Sequence, residues 1–164
     1  MSSAQNMSSA QNMSSARILF AALLFPALAN AACLTLASHP DGARLSQLAL
    51  PAEDTSFAIT YVHSVTRTPV VERYRTAGNE IIETEIRFEQ HGPGLPTEAD
   101  ARGTFSRSDG RFIVTMDRHF TDVVMRVHTD QSPRLTAGTR NIDLAQWGNR
   151  ALTLGAIPGT CAGP

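Results

Sequence analysis

Beyond residue 33, apolar and polar residues alternate along most of this chain, and Gly, Pro, Asn or Asp interrupts the alternation every eight to twelve residues. Side chains on a β-strand point to opposite faces with period two, so the pattern predicts short half-buried strands joined by turns. Leu34 and Leu36 flank Thr35 in a first strand, and His39-Pro40-Asp41-Gly42 is a turn. Arg44 to Leu50 follows, closed by Pro51-Ala52-Glu53-Asp54. Phe57, Ile59, Tyr61 and His63 share one face of the next strand, with Thr60, Val62 and Ser64 on the other. Thr66 to Pro69 reads as a four-residue hairpin loop, which opposes Val65 to Val70, His63 to Glu72 and Tyr61 to Tyr74. This register puts Val70, Glu72 and Tyr74 inside and Arg73 and Arg75 outside, whereas a slip of one residue would bury both arginines.

After Gly78-Asn79, the pattern predicts an apolar face of Ile82, Thr84, Ile86 and Phe88 and a charged face of Glu83, Glu85, Arg87 and Glu89. His91 to about Ala101 holds Gly92, Pro93, Gly94 and Pro96, which excludes helix and central strand. Strands resume at Gly103 to Arg107, Phe112 to Met116, Val123 to His128, Leu135, Ile142 to Leu144 and Ala151 to Ile157, with a helical turn around Trp147. No stretch keeps a helical period over ten residues. The expectation is one all-β domain, a small antiparallel sandwich or barrel of about eight to ten short strands.

The first thirty-one residues follow another logic. MSSAQN, MSSAQN, MSSA is a start-like repeat with Met1, Met7 and Met13 in phase, and Met13 is read as the start. Arg17, the apolar run Ile18 to Ala29 and the small-x-small site Ala29-Asn30-Ala31 make a cleavable signal peptide, cut after Ala31. The run is shorter than the ~20 residues of a membrane span. Asn30 departs from the aliphatic residue a lipoprotein signal carries before its cysteine. Residues 32 to 164 then form the mature domain, without a membrane span. Loss of Arg17 leaves thirteen arginines against fifteen acids, a net charge of −2. Such a balance gives no footprint for nucleic acid. Lysine is absent from the whole chain, which excludes Schiff-base chemistry and a Walker A loop.

Two cysteines remain, Cys33 and Cys161, one at each end. An even count in an exported chain predicts a disulfide, against the alternative of two unpaired thiols. The bridge would make the first and last strands neighbours, and the loop-entropy relation gives it at most about 4–5 kcal/mol.

The candidate site residues cluster between Phe57 and Pro96. Opposed in a β-layer, His63 and Glu72 would form a charge-assisted hydrogen bond that titrates near neutral pH, or else a structural pair fixing the register. Ser64 beside His63 looks like a nucleophile with its base, but strand neighbours point to opposite faces. The five histidines lack metal-ligand spacing, leaving only a weak grouping of His63, Glu72 and His91, so no cofactor is expected. Arg67, with Arg73 or Arg75, could take a carboxylate bidentately. Gly92 and Gly94 would let the His91–Pro96 backbone approach a ligand or partner. Glu83 completes the set of candidate binding residues.

The string from Tyr61 to Glu72, YVHSVTRTPVVE, with Glu83-Thr84, Phe88 and Gly92-Pro93-Gly94-Leu95-Pro96, resembles a family of small exported domains of unknown function encoded beside TAXI-type TRAP transporters. The resemblance spans about residues 34 to 145. It implies a periplasmic accessory or binding role linked to organic-acid uptake, with the transporter's membrane component or its solute-binding protein as partner. It carries no established activity, so no residue becomes catalytic through it. The alternatives are a small periplasmic hydrolase or metal-dependent enzyme using His63 and Glu72, and a purely structural exported domain.

Overall fold

The computed structural model describes residues 31–161; the expected leader, residues 1–31, lies outside the described residues except for Ala31 at its cleavage site. Eleven strands run in chain order: β1 (Ala32–Ser38), β2 (Arg44–Leu50), β3 (Ser56–Val62), β4 (Pro69–Ala77), β5 (Glu80–Phe88), β6 (Phe105–Ser108), β7 (Arg111–Phe120), β8 (Asp122–Val127), β9 (Arg134–Ala137), β10 (Arg140–Asp143) and β11 (Arg150–Pro158). Short 3₁₀ turns at Thr129–Gln131 and Leu144–Trp147 are the helical segments among the described residues. The strands form two antiparallel sheets, one ordered β2-β1-β11-β8 and the other β10-β9-β3-β4-β5-β7-β6. The sheets face each other and do not close, so the architecture is a sandwich, not a barrel.

The first and last strands are neighbours, with Cys33 opposite Ile157. Cys33 and Cys161 form the expected disulfide, with Cα atoms 4.9 Å apart. The apolar phases of both sheets meet in a core of Leu34, Leu36, Leu48, Leu50, Leu152 and Leu154 against Phe57, Ile59, Tyr74, Ile81 and Leu135. Burial of these side chains is the main stabilising term.

A seven-stranded sheet is wider than a four-stranded one. The remainder of its inner face holds a second cluster, Val70, Ile86, Phe88, Val114 and Met116, covered by Leu95 and Ala99 of the loop between β5 and β6. The larger sheet therefore has two covers, a sheet and a loop. Tyr61 packs against both clusters and marks the line between them.

Two registers differ from the sequence expectation. The β3–β4 hairpin pairs Ile59 with Glu72, Tyr61 with Val70 and Val62 with Pro69. The inferred pairs His63–Glu72, Tyr61–Tyr74 and Val65–Val70 are therefore incorrect, although the displacement is even and the inner and outer faces stand as expected. Its cause is a longer loop. His63 N–H donates to Thr68 O and Arg67 N–H to His63 O, closing a six-residue connection in which Arg67 adopts the left-handed conformation at φ 57°. The second difference lies in β5. Arg73 opposes Glu85 and Tyr74 opposes Glu83, leaving Thr84 as a bulge, and the β5–β7 pairing shifts at the same place. A bulge reverses the side-chain phase beyond it. Glu83 consequently faces the core with Ile81, not the solvent with Glu85.

Candidate binding cleft

Register and bulge together write two rows across the inner face of the larger sheet. One runs Ile59, Glu72, Ile86, Val114, and the next runs Phe57, Tyr74, Glu83, Arg118. Two carboxylates thus stand in an apolar face, on the line where its two covers part. The gap there is a cleft of about 450 Å³. Its floor holds Tyr61, Glu72, Tyr74, Glu83 and Arg118; Gly94 and Pro96 come from the covering loop, and consecutive residues Val123 to Val127 of β8 form the opposite wall.

The two acids live in different environments. Tyr61 donates to one oxygen of Glu72 at 2.9 Å and Tyr74 donates to the other at 2.8 Å. Burial, reinforced by the charge of Glu72, holds both phenols far above their ordinary pKa, so they remain donors. Glu83 is only 8% exposed. Its nearest charged partner is Arg118 at 3.8 Å, beyond hydrogen-bonding distance. Arg118 is itself committed to Asp100 of the covering loop through two bonds of 2.6 and 2.8 Å. No fully enclosed side-chain oxygen or nitrogen lacks a hydrogen bond among the described residues. Glu83 has no hydrogen bond, so its oxygens must open onto the cleft. Burial, then the Glu72 charge, pushes its pKa up to about 7, against a lowering by Arg118.

His63, expected opposite Glu72, lies elsewhere. Its Nδ1 accepts from the backbone N–H groups of Val65 and Thr66 at 3.3 and 3.1 Å. The ring proton therefore sits on Nε2, which donates to Pro93 O at 3.1 Å. The imidazole staples the hairpin loop to the His91–Pro96 loop. Gly92 is required there: a Cβ would lie 2.7 Å from His63 Cε1. Ser64 is exposed in the hairpin loop, and both ring nitrogens of His63 are already engaged with backbone.

The outer-face arginines are paired: Arg67 with Asp130 at 3.4 Å, Arg73 with Glu85 at 3.0 Å and Arg75 with Asp117 at 3.9 Å. His91 packs its ring on Phe112, with centroids 4.2 Å apart, beside Phe88 and Phe105. Among the described residues no three His, Cys, Asp or Glu side chains gather to hold a metal, so the His63–Glu72–His91 grouping does not form. Of the residues singled out from sequence, Glu72, Glu83 and Gly94 meet in the cleft, while His63, Ser64, Arg67 and Gly92 belong to the hairpin loop or its contact. Arg118 and Asp100 were missed. Arg118 keeps the inward phase of Phe112, Val114 and Met116, and an arginine on an apolar face was the available signal.

No curated protein and no solved structure matches the chain. Residues 57–144, more than half of it, match a family described as a domain of unknown function, DUF1850. That stretch runs from β3 through β10 and holds every floor residue of the cleft. With two inward carboxylates, paired phenols and a covering loop all inside the matched span, this chain belongs to the DUF1850 family.

Proposed function

We propose that this chain is a binding module that works outside the cytoplasm and takes its ligand in the cleft between β8 and the β4-β5-β7 floor. One observation carries the reading. Glu83 is more than nine-tenths buried, has no hydrogen-bond donor of its own, and opens onto a formed cavity. A buried polar group without a partner is costly. A ligand that brings a donor removes the cost. A binding role fits better than a hydrolytic one because Glu72 is held by two phenols and His63 by three backbone groups, leaving neither free to move a proton. Export fits the disulfide, which persists in oxidising compartments, and no helix among the described residues is long and apolar enough to cross a membrane.

The partner we propose is a TAXI-type TRAP transporter, through its membrane component or its solute-binding protein; the support is the resemblance of the Tyr61–Glu72 and Gly92–Pro96 strings. The arginines suggested for carboxylate capture already hold acids, so the cleft, not the hairpin's outer face, is the proposed site. Thermal-shift screening of residues 32–164 against amines, amides, sugars and organic acids tests the reading. Stabilisation by a donor-bearing compound, lost in Glu83→Gln, is expected. Silence across the panel, or turnover abolished by Glu83→Gln, overturns it. Co-purification with the transporter components tests the partner separately, and retention of none of them ends that part.

A further inference from the structure

We propose that the cleft receives an extended peptide segment of a partner protein, which adds as a strand to the free edge of β8 and places a lysine or arginine side chain against Glu83. This rests on the cleft being the binding site and names its ligand.

The first argument is which part of β8 faces the cleft. Five consecutive residues, Val123 to Val127, line it. A strand that presents a face shows alternate residues; only its edge shows consecutive ones. β8 ends its sheet and pairs with β11 alone among the described strands. The backbone N–H and C=O groups on its outer side therefore point into the cleft without a ladder.

The second argument compares the four sheet edges. Proteins blunt their edges with charge, bulges or brevity. β6 and β10 have only four residues each. β2 is bulged at Leu45 beside Arg44. β8 pairs with β11 over six residues without a register shift, its charges Asp122 and Arg126 flank an apolar centre of Val123-Val124-Met125, and Val124 is 50% exposed. It is the edge left ready for pairing.

Charge chooses the segment. Glu72 and Glu83 stand on the floor, and the floor's Arg118 gives Nε and Nη2 to Asp100, leaving Nη1 3.8 Å from Glu83, too far for a hydrogen bond. The balance on the floor is negative, and Glu83 lacks a donor. A strand seated on β8 sends every second side chain toward one face. A basic side chain in that phase supplies the missing donor, while Gly94, Pro96, Gln131 and Pro133 bound the cleft beside it. The exposed Arg126 on β8 disfavours a second basic residue against that position.

The test uses residues 32–164 and an acetylated, amidated octapeptide alternating lysine with valine, followed by fluorescence anisotropy and by amide hydrogen exchange of β8. Three comparisons accompany it: the same peptide with glutamine for lysine, the lysine peptide N-methylated on alternate amides, and n-butylammonium. The lysine peptide should bind about tenfold more tightly than the glutamine peptide, and Glu83→Gln should erase that difference. Binding should slow exchange at residues 123 to 127, and N-methylation of the ladder-forming amides should abolish it. Equal binding of the lysine and glutamine peptides, or binding without β8 protection, overturns the proposal. Saturation by n-butylammonium with no peptide binding also overturns it, while leaving the cleft as a small-cation site. Silence toward all of them, with stabilisation by another compound of the wider panel, rejects the peptide and retains the binding module.

Discussion

His63 and Glu83 are both polar, both within the matched family span and both under a tenth exposed, at 6% and 8%. Their surroundings differ completely. His63 has each ring nitrogen bonded to backbone and joins two loops. Glu83 has no hydrogen bond and an elevated pKa, at the floor of a cleft. Burial alone therefore does not separate a structural polar residue from a binding one. The separation lies in whether the fold has already supplied the partners. Where it has, the side chain stabilises; where it has not, the protein keeps a destabilising group whose need a ligand can meet.

The largest effect expected from this contrast is at His63. Replacing it with Ala strands Pro93 O and two backbone N–H groups and leaves a void, a loss of about 4 kcal/mol. Urea denaturation should show the loss, together with faster proteolysis of the His91–Pro96 loop. A variant within 1 kcal/mol of the parent would mean that the staple is dispensable, and the contrast would fail on its structural side.

Glu83 should give the next largest effect, with the opposite sign. Its folded pKa of about 7 lies above its ordinary value of 4.5. The folded state thus holds the proton more tightly than the unfolded chain. The associated stability is fully present below pH 4.5 and is lost as pH rises to 7 and beyond. The loss is on the order of 3 kcal/mol. Burial is the main cause of the rise, Glu72 and Asp100 add to it, and Arg118 opposes it. Glu83→Gln should therefore match the parent near pH 4.5 and exceed it by that amount at pH 8, as read from paired denaturation curves. Parallel pH profiles for the two proteins would refute the assignment.

The smallest effect belongs to Arg67. Its ion pair with Asp130 joins two side chains that are more than half exposed. Screening and side-chain entropy leave such pairs worth little, so Arg67→Ala should change stability by under about 0.5 kcal/mol. Calorimetry showing a change several times larger would reveal a hairpin loop more tightly coupled to the body than its exposure implies.

The residues themselves show why part of this was legible. Period two placed Ile59, Tyr61, Val70, Glu72 and Tyr74 on one face, and an even displacement of the hairpin left that face unchanged. The loop length was not legible, because His63 reads as one more inward strand residue until its ring is seen capping Val65 and Thr66. The bulge at Thr84 was hidden for a related reason. Period-two reading assumes an unbroken phase, and the adjacent pair Ile81-Ile82 was the hint that the phase breaks. With that hint unread, Glu83 falls among the solvent-facing charges and the cleft disappears. Asp100 left no signal at all, since a loop residue acquires its role only when the loop folds back over the sheet.

The Cys33–Cys161 bond has a topological consequence. It turns 129 residues into a covalent ring, from which the cleft, both sheets and the covering loop are all suspended. One cut by a protease anywhere along that ring linearises it without releasing a fragment. A nick in the long β5–β6 connection would leave both new ends tethered to the same sandwich, able to settle back across Leu95 and Asp100. The bond thus protects the molecule's continuity, and two separate cuts are needed before any piece of the site can diffuse away.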